Sequence, residues 1–420
     1  MWYDFQYKGR EYCVEDVPVK EIVEAVGTPC YIYSNSALEG DFEVFREAFS
    51  DINPLICFSV KANSNLAVLR TYANLGVGFD VVSGGELLRV LRAGGDPAKV
   101  VFSGVGKMEE EIKAAIEACI LFFNVESPEE LEVINDVAKG LGMKARIALR
   151  VNPDIDPKTH PYISTGLKKS KFGIEIGKAL EVYKKASKME GIEVTGIDAH
   201  IGSQIFQLNP FVESLKKLIE LGDLLKSEGI VVEYIDIGGG LGISYKEGEM
   251  PPHPKEYADV IKRELNSNPY KLILEPGRAL VGNAGILVTK VLYLKDGASK
   301  KFVVVDAAMN DLIRPAFYDS YHEIIPVNES LGDEETVDIV GPVCESGDFF
   351  AKDRGLPKVK RGDLLVILSA GAYGFVMSSN YNTRPRVPEV MVRGDEFFIV
   401  KEREKYEDLI KGEAIPDFMK

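Results

Sequence analysis

Val194-Thr195-Gly196-Ile197-Asp198-Ala199-His200-Ile201, the amphipathic stretch 211–227, and Val231-Val232-Glu233-Tyr234-Ile235-Asp236-Ile237 together decide the fold. A short apolar run, a helix-length segment and a second apolar run make one strand–helix–strand unit. The same rhythm extends on both sides. Apolar runs recur upstream at 55–60, 79–82, 100–103, 120–125 and 146–151, and downstream at 272–275. Helical segments lie between them at 128–139, 177–189 and 254–265, and Ser127-Pro128 reads as a cap followed by proline at the first helical position. Eight such units in series predict a parallel (β/α)8 TIM barrel over residues 35–282 rather than an open doubly wound sheet.

After Gly285 the helical rhythm stops. Runs at 286–294, 302–305, 337–343, 364–369, 388–392 and 397–400 are strand-like and separated by Gly, Pro and charged turns. They predict a C-terminal all-β domain, sandwich- or barrel-like, over 283–420. The first thirty residues also read as strand, with Tyr3, Phe5 and Tyr7 alternating with polar residues. Residues 1–34 are expected to join the β domain, because chain ends often lie close together. The fold class is α/β plus all-β.

Composition narrows the function. The 420 residues are 45% hydrophobic and 27% charged, which excludes wholesale disorder. A net charge of −15 repels phosphate backbones, so nucleic acid is not an expected partner. The cysteines, Cys13, Cys30, Cys57, Cys119 and Cys344, are odd in number and widely spaced, with no Cys-x-x-Cys. Neither a disulfide framework nor a zinc site is expected, and no metal. The N-terminus lacks the basic-then-apolar pattern of a signal peptide, and no apolar run is long enough to span a membrane. A cytoplasmic protein with no membrane partner is the expectation.

Functional residues of a (β/α)8 barrel sit at the C-terminal ends of its strands. The first run ends in Lys61, either a solvated end residue or a partly desolvated amine able to condense with a carbonyl. The sixth ends His200-Ile201-Gly202-Ser203, where His200 is either structural or a face contact for a planar ligand, with Ser203 beside a phosphate. The seventh ends Gly238-Gly239-Gly240-Leu241-Gly242. That is either a tight turn or a loop whose amides approach a phosphate, and it is neither a Rossmann nor a Walker spacing. The eighth ends Glu275-Pro276-Gly277-Arg278, a surface ion pair or an acid set against a ring nitrogen. A lysine, a ring contact, a phosphate carrier and a charged partner for a pyridine nitrogen are what pyridoxal phosphate requires.

The chain resembles the pyridoxal-phosphate decarboxylases of the alanine-racemase-like fold, and within them the diaminopimelate decarboxylases. The resemblance rests on Phe58-Ser59-Val60-Lys61-Ala62-Asn63, Gly78-Phe79-Asp80-Val81-Val82-Ser83-Gly84-Gly85-Glu86, His200-Ile201-Gly202-Ser203-Gln204, Gly238-Gly239-Gly240-Leu241-Gly242, Glu275-Pro276-Gly277-Arg278, Gly341-Pro342-Val343-Cys344-Glu345-Ser346-Gly347-Asp348 and Gly371-Ala372-Tyr373-Gly374. It implies decarboxylation of meso-2,6-diaminopimelate to L-lysine and carbon dioxide, the last step of lysine biosynthesis. It implies that Lys61 holds pyridoxal 5′-phosphate, that His200 stacks on its ring, and that Glu275 pairs with its nitrogen. Ser203, Gly239, Gly240, Gly277, Arg278 and Tyr373 are then the cofactor's other contacts. Arg278, Arg314, Tyr318 and Tyr373 would bind the substrate, and Glu345 would take its distal ammonium. Cys344 would protonate the carbon that loses carbon dioxide. The resemblance also implies a homodimer in which Cys344 and Glu345 serve the other subunit's site.

Two alternatives remain at this level. An ornithine, arginine or carboxynorspermidine decarboxylase shares the fold and cofactor, but a distal plain amine needs no carboxylate donors such as Arg314 and Tyr318. A non-catalytic cofactor-binding regulator would be expected to lack Lys61 or Cys344, and both are present. The segment 152–173, with His160-Pro161-Tyr162-Ile163-Ser164-Thr165-Gly166 and Lys171-Phe172-Gly173, resembles the family's specificity loop.

Overall fold

The computed structural model describes residues 4–156, 171–266, 268–329 and 332–420. The His160–Gly166 part of the expected specificity loop lies outside them. The chain divides into two compact units: residues 38–244 with 249–281, and residues up to 37 with 245–248 and 282–420.

The first unit is a closed parallel barrel. Its strands are Leu55–Ser59, Gly78–Val81, Val100–Phe102, Phe122–Val125, Ala145–Asn152, Ile192–Asp198, Tyr234–Asp236 and Lys271–Leu274. Each pairs in parallel with the next, and Ile273 opposite Leu55 closes the ring. The strands are buried on both faces, which is why they read as continuous apolar runs rather than alternating ones. Cys57, Val101, Ala148 and Ile273, from four different strands, pack in one interior cluster. The outer helices begin where side chains satisfy the first N–H groups. Asn65 Oδ1 accepts from Ala67 N (2.9 Å), and the Ser83 and Ser127 hydroxyls accept from Glu86 N and Glu130 N (3.2 and 3.1 Å). Among the described residues no helix is long and apolar enough to cross a membrane.

The second unit is a mixed sheet in the order Phe349–Pro357, Glu334–Val340, Lys301–Val305, Gly285–Asp296, Cys30–Ser34, Glu389–Arg393, Glu396–Lys401. Gly285–Asp296 also pairs with Leu364–Ile367, which in turn pairs with Ile324–Pro326. A small sheet of Phe5–Lys8, Glu11–Val14 and Val17–Pro18 shares its core: Phe5, Tyr12 and Val14 pack with Ile32, Ile286, Val288, Val366 and Val390.

One expectation needs correction. Residues 19–26, read as strand, form the helix Val19–Val26, in which Val19, Ile22, Val23 and Val26 recur at helical spacing on the core side. The C-terminal β region also carries the short helix Arg314–Tyr318, begun at Arg314-Pro315.

Candidate active site

The first barrel strand runs into a single 3₁₀ turn, Val60–Ala62, that carries Lys61. Lys61 Nζ pairs with the fully buried Asp80 at the end of the second strand. Ser59 Oγ lies 3.1 Å from Asp80 Oδ2 and 2.9 Å from the Glu275 carbonyl oxygen. The end of the first strand is therefore tied to the second through Lys61 and Ser59, and to the residue after the eighth through Ser59.

Asp198, Asp236 and Glu275 end or follow the sixth, seventh and eighth strands, and barrel closure brings their carboxylates within 4.8 Å of one another. All three are buried. Burial, then the neighbouring Asp236, Asp80 and Asp198, push the Glu275 carboxyl well above the usual range, against an opposing pull from Lys61. Burial, then the neighbouring Asp236, hold Asp198 well above it against an opposing pull from Arg150, and Asp236 is pushed up to about 6, mainly by burial. Asn124 Nδ2 donates to Glu275 Oε1 (3.3 Å) and Gly238 N to Asp236 Oδ1 (2.9 Å). Arg150 offsets part of this charge. It donates to Glu126 Oε1 at 2.7 Å, and its Nε lies 3.9 Å from Asp198 Oδ2. A positively charged ring N–H set against Glu275 would draw this carboxyl back to its ionised form.

His200 is held neutral. Burial and the cations Arg150 and Lys61 push it well below its usual range. Its Nδ1 accepts from Gly239 N at 3.3 Å, so the ring proton sits on Nε2. The glycine loop is built for close approach. A Cβ at Gly239 would stand 2.1 Å from the Glu275 carbonyl oxygen, and one at Gly277 2.9 Å from Ser59 Cβ. Gly240, at φ +116°, adopts a backbone that side chains resist. Arg278 Nη2 donates to Ser203 Oγ at 3.1 Å. Lys61, His200, Ser203, Gly239, Gly240, Glu275, Gly277 and Arg278 thus converge on one end of the barrel: an amine, a neutral planar ring, an acid cluster and an anion cradle.

The other expected residues belong to the second unit. Cys344 is exposed. Its loop is pinned by Asp348, which accepts from Met309 N and Val343 N (both 2.7 Å). Cys344 N donates to Asn382 Oδ1 (2.9 Å), and the Tyr381 hydroxyl donates to Glu345 Oε2 (2.8 Å). Arg314 and the half-buried Tyr318 open and close one short helix. Arg314 is buried, with Nη1 2.9 Å from His322 Nε2. Tyr373 adopts φ +55°.

Sequence reading missed Asn124, Asp198, Asp236 and the Arg150–Glu126 pair. Asp80 and Glu86 stood inside a quoted motif without a role. Glu86 accepts from Val82 N at 2.8 Å, and burial pushes its carboxyl up to about 7. For Asn124, Glu126, Asp198 and Asp236 a signal existed in their placement at or just after strand ends, but an isolated polar residue there has too many other uses.

The family model for "Pyridoxal-dependent decarboxylase, pyridoxal binding domain" matches residues 36–282. The chain is 50% identical over 406 residues to a diaminopimelate decarboxylase of Aquifex aeolicus, covering 97% of this chain and 96% of that one. It is 52% identical over 415 residues to that of Vibrio cholerae, covering 99% of both. The solved diaminopimelate decarboxylase of M. jannaschii in co-complex with L-lysine superposes with a TM-score of 0.95 at 41% identity, over 99% of each chain.

Proposed function

The chain belongs to the pyridoxal-dependent decarboxylases, and within them to the diaminopimelate decarboxylases, and from that premise we propose which of its residues carry the reaction. The reaction is decarboxylation of diaminopimelate to L-lysine and carbon dioxide, with pyridoxal phosphate as cofactor.

The barrel residues fit that cofactor. The glycine loop leaves no room for side chains and so offers backbone amides to a phosphate, with Ser203 and Arg278 beside them. The neutral His200 suits a ring face, and the raised Glu275 carboxyl suits a ring N–H. When bound, the protonated pyridine ring supplies a sink for the electron pair left at Cα as carbon dioxide departs. Lys61 Nζ would hold the cofactor covalently, and Asp80 Oδ2 is the carboxylate that pairs with Nζ. Glu275 keeps the proton at the ring nitrogen. Cys344 Sγ gives Cα its replacement proton.

In the second unit Arg314 and Tyr318 bind the carboxylate that is retained, together with Arg278, and Glu345 takes the distal ammonium. Tyr373 joins the phosphate and substrate contacts. The reading includes a cytoplasmic homodimer; five cysteines with no disulfide among them are consistent with a reducing compartment. The observation that carries the residue assignment is the convergence of Lys61, His200, Glu275 and the glycine loop at one end of the barrel. Carbon dioxide release from meso-diaminopimelate, ornithine and arginine, assayed in parallel, tests the substrate: only the first is expected to turn over. Equal turnover of ornithine would overturn the assignment.

Arg314→Ala is expected to raise KM and lower kcat/KM for diaminopimelate about tenfold or more, the scale of one lost charged hydrogen bond. Steady-state kinetics on the variant check it.

Subunit mixing tests the shared site. Lys61→Ala and Cys344→Ala subunits are each expected to be nearly inactive. Random mixing gives about half the dimers as hybrids with one intact site each, restoring about a quarter of wild-type activity. Demonstrated exchange without recovery would mean that lysine and cysteine act within one chain.

A further inference from the structure

His322 is one of four histidines and is fully buried. Its Nδ1 lies 2.8 Å from the Leu368 carbonyl oxygen. A carbonyl only accepts, so Nδ1 carries the proton. Its Nε2 lies 2.9 Å from Arg314 Nη1, and a guanidinium only donates, so Nε2 presents its lone pair. The two contacts together define a neutral imidazole in one tautomer. Its position is fixed by the sheet: Ile324–Pro326 pairs antiparallel with Leu364–Ile367, Leu368 N donates to the Glu323 carbonyl (2.9 Å), and Arg354 Nη1 donates to the His322 carbonyl (2.9 Å).

Ser320 Oγ also lies 3.3 Å from Arg314 Nη2, and the centroid of the Tyr245 ring lies 4.6 Å from the guanidinium carbon. The Tyr245 ring also meets His322 edge-on at 5.2 Å. A carboxylate in the place of His322 would hold the guanidinium but neutralise it. A neutral imidazole fixes the plane of the fork and adds no negative charge.

We infer that His322 is a positioning residue that orients Arg314 to receive the retained carboxylate of substrate and product, and so helps to set specificity for an amino acid over a plain amine. The inference rests on the role proposed above for Arg314. His322 acts through Arg314, so its effect is expected on binding.

The test uses the holoenzyme and two inhibitors, L-lysine, which keeps the carboxylate, and cadaverine, which lacks it. His322→Phe keeps the volume and loses both hydrogen bonds. It is expected to raise KM for diaminopimelate and Ki for lysine about tenfold with kcat within about twofold, and to leave Ki for cadaverine within about twofold. His322→Gln, which keeps an acceptor, is expected to recover most of the loss. If His322→Phe does not fold, His322→Asn, with a side chain too short to span both partners, carries the same expectation. Arg314→Ala is measured alongside. If it spares lysine binding, the carboxylate role of Arg314 fails. If it selectively weakens lysine while the His322 variants do not, or if they weaken lysine and cadaverine equally, the positioning role is overturned.

Discussion

Lys61→Ala loses the borohydride-trapped cofactor adduct and, with it, essentially all carbon dioxide release. The strand Leu55–Ser59 delivers this amine to the barrel end through a single turn, and Asp80 and Ser59 fix its surroundings. A second lysine near the strand ends, Lys107, is a poor substitute. Its buried ammonium is committed to the carbonyls of Gly104 and Asn124 (both 2.8 Å) and to Glu130 (2.6 Å). Removing Lys61 leaves Asp80 buried without its cation, which itself destabilises. Lys61→Arg keeps the charge and is expected to fold while also failing to trap the adduct. Peptide mapping of the reduced wild-type enzyme decides the matter: an adduct on Lys107, or on any lysine but Lys61, overturns the site.

Glu275→Gln is expected to lower kcat by about 30- to 1000-fold, from about 2–4 kcal/mol of lost electrostatic stabilisation. The substitution keeps the shape and the contact with Asn124, so the effect isolates charge. Burial beside Asp236, Asp80 and Asp198 makes Glu275 costly to ionise alone, and so a strong partner for a cationic ring N–H. The amide cannot hold a proton at that nitrogen. Unchanged kcat would show that the ring nitrogen does not depend on this residue.

The barrel was legible because parallel strands buried on both faces leave continuous apolar runs, and because Ser127-Pro128 marks a helix start. The helix Val19–Val26 was hidden by the alternation of Tyr3, Phe5 and Tyr7 just before it, although its own apolar residues follow a helical period. Phe349–Pro357 was invisible for another reason. Lys352, Asp353, Arg354, Gly355 and Pro357 carry no strand pattern, and pairing with Glu334–Val340 holds the segment extended despite two register shifts.

At the site, Lys61, His200, the glycine loop and Glu275 stood out because each is unusual directly after an apolar run. Asp198 and Asp236 did not, since their meaning depends on closure of the ring, which sets three successive strand ends side by side. His322 was unreadable for the same kind of reason: Leu368 becomes its neighbour only through the antiparallel pairing of Ile324–Pro326 with Leu364–Ile367.

The strand Cys30–Ser34 lies between Gly285–Asp296 and Glu389–Arg393 in the mixed sheet, so the whole barrel is inserted in sequence between a strand and its partners. During synthesis the ribosome releases that strand first and its partners last. Its apolar face, with Cys30 and Ile32 in the core cluster, stays without a lasting home while the barrel's strands and helices emerge. The barrel has every one of its strands in hand by Leu274, before the mixed sheet can close. Translation therefore imposes an order of maturation: the barrel can close on the nascent chain, and the second unit is completed only when the final strands leave the exit tunnel.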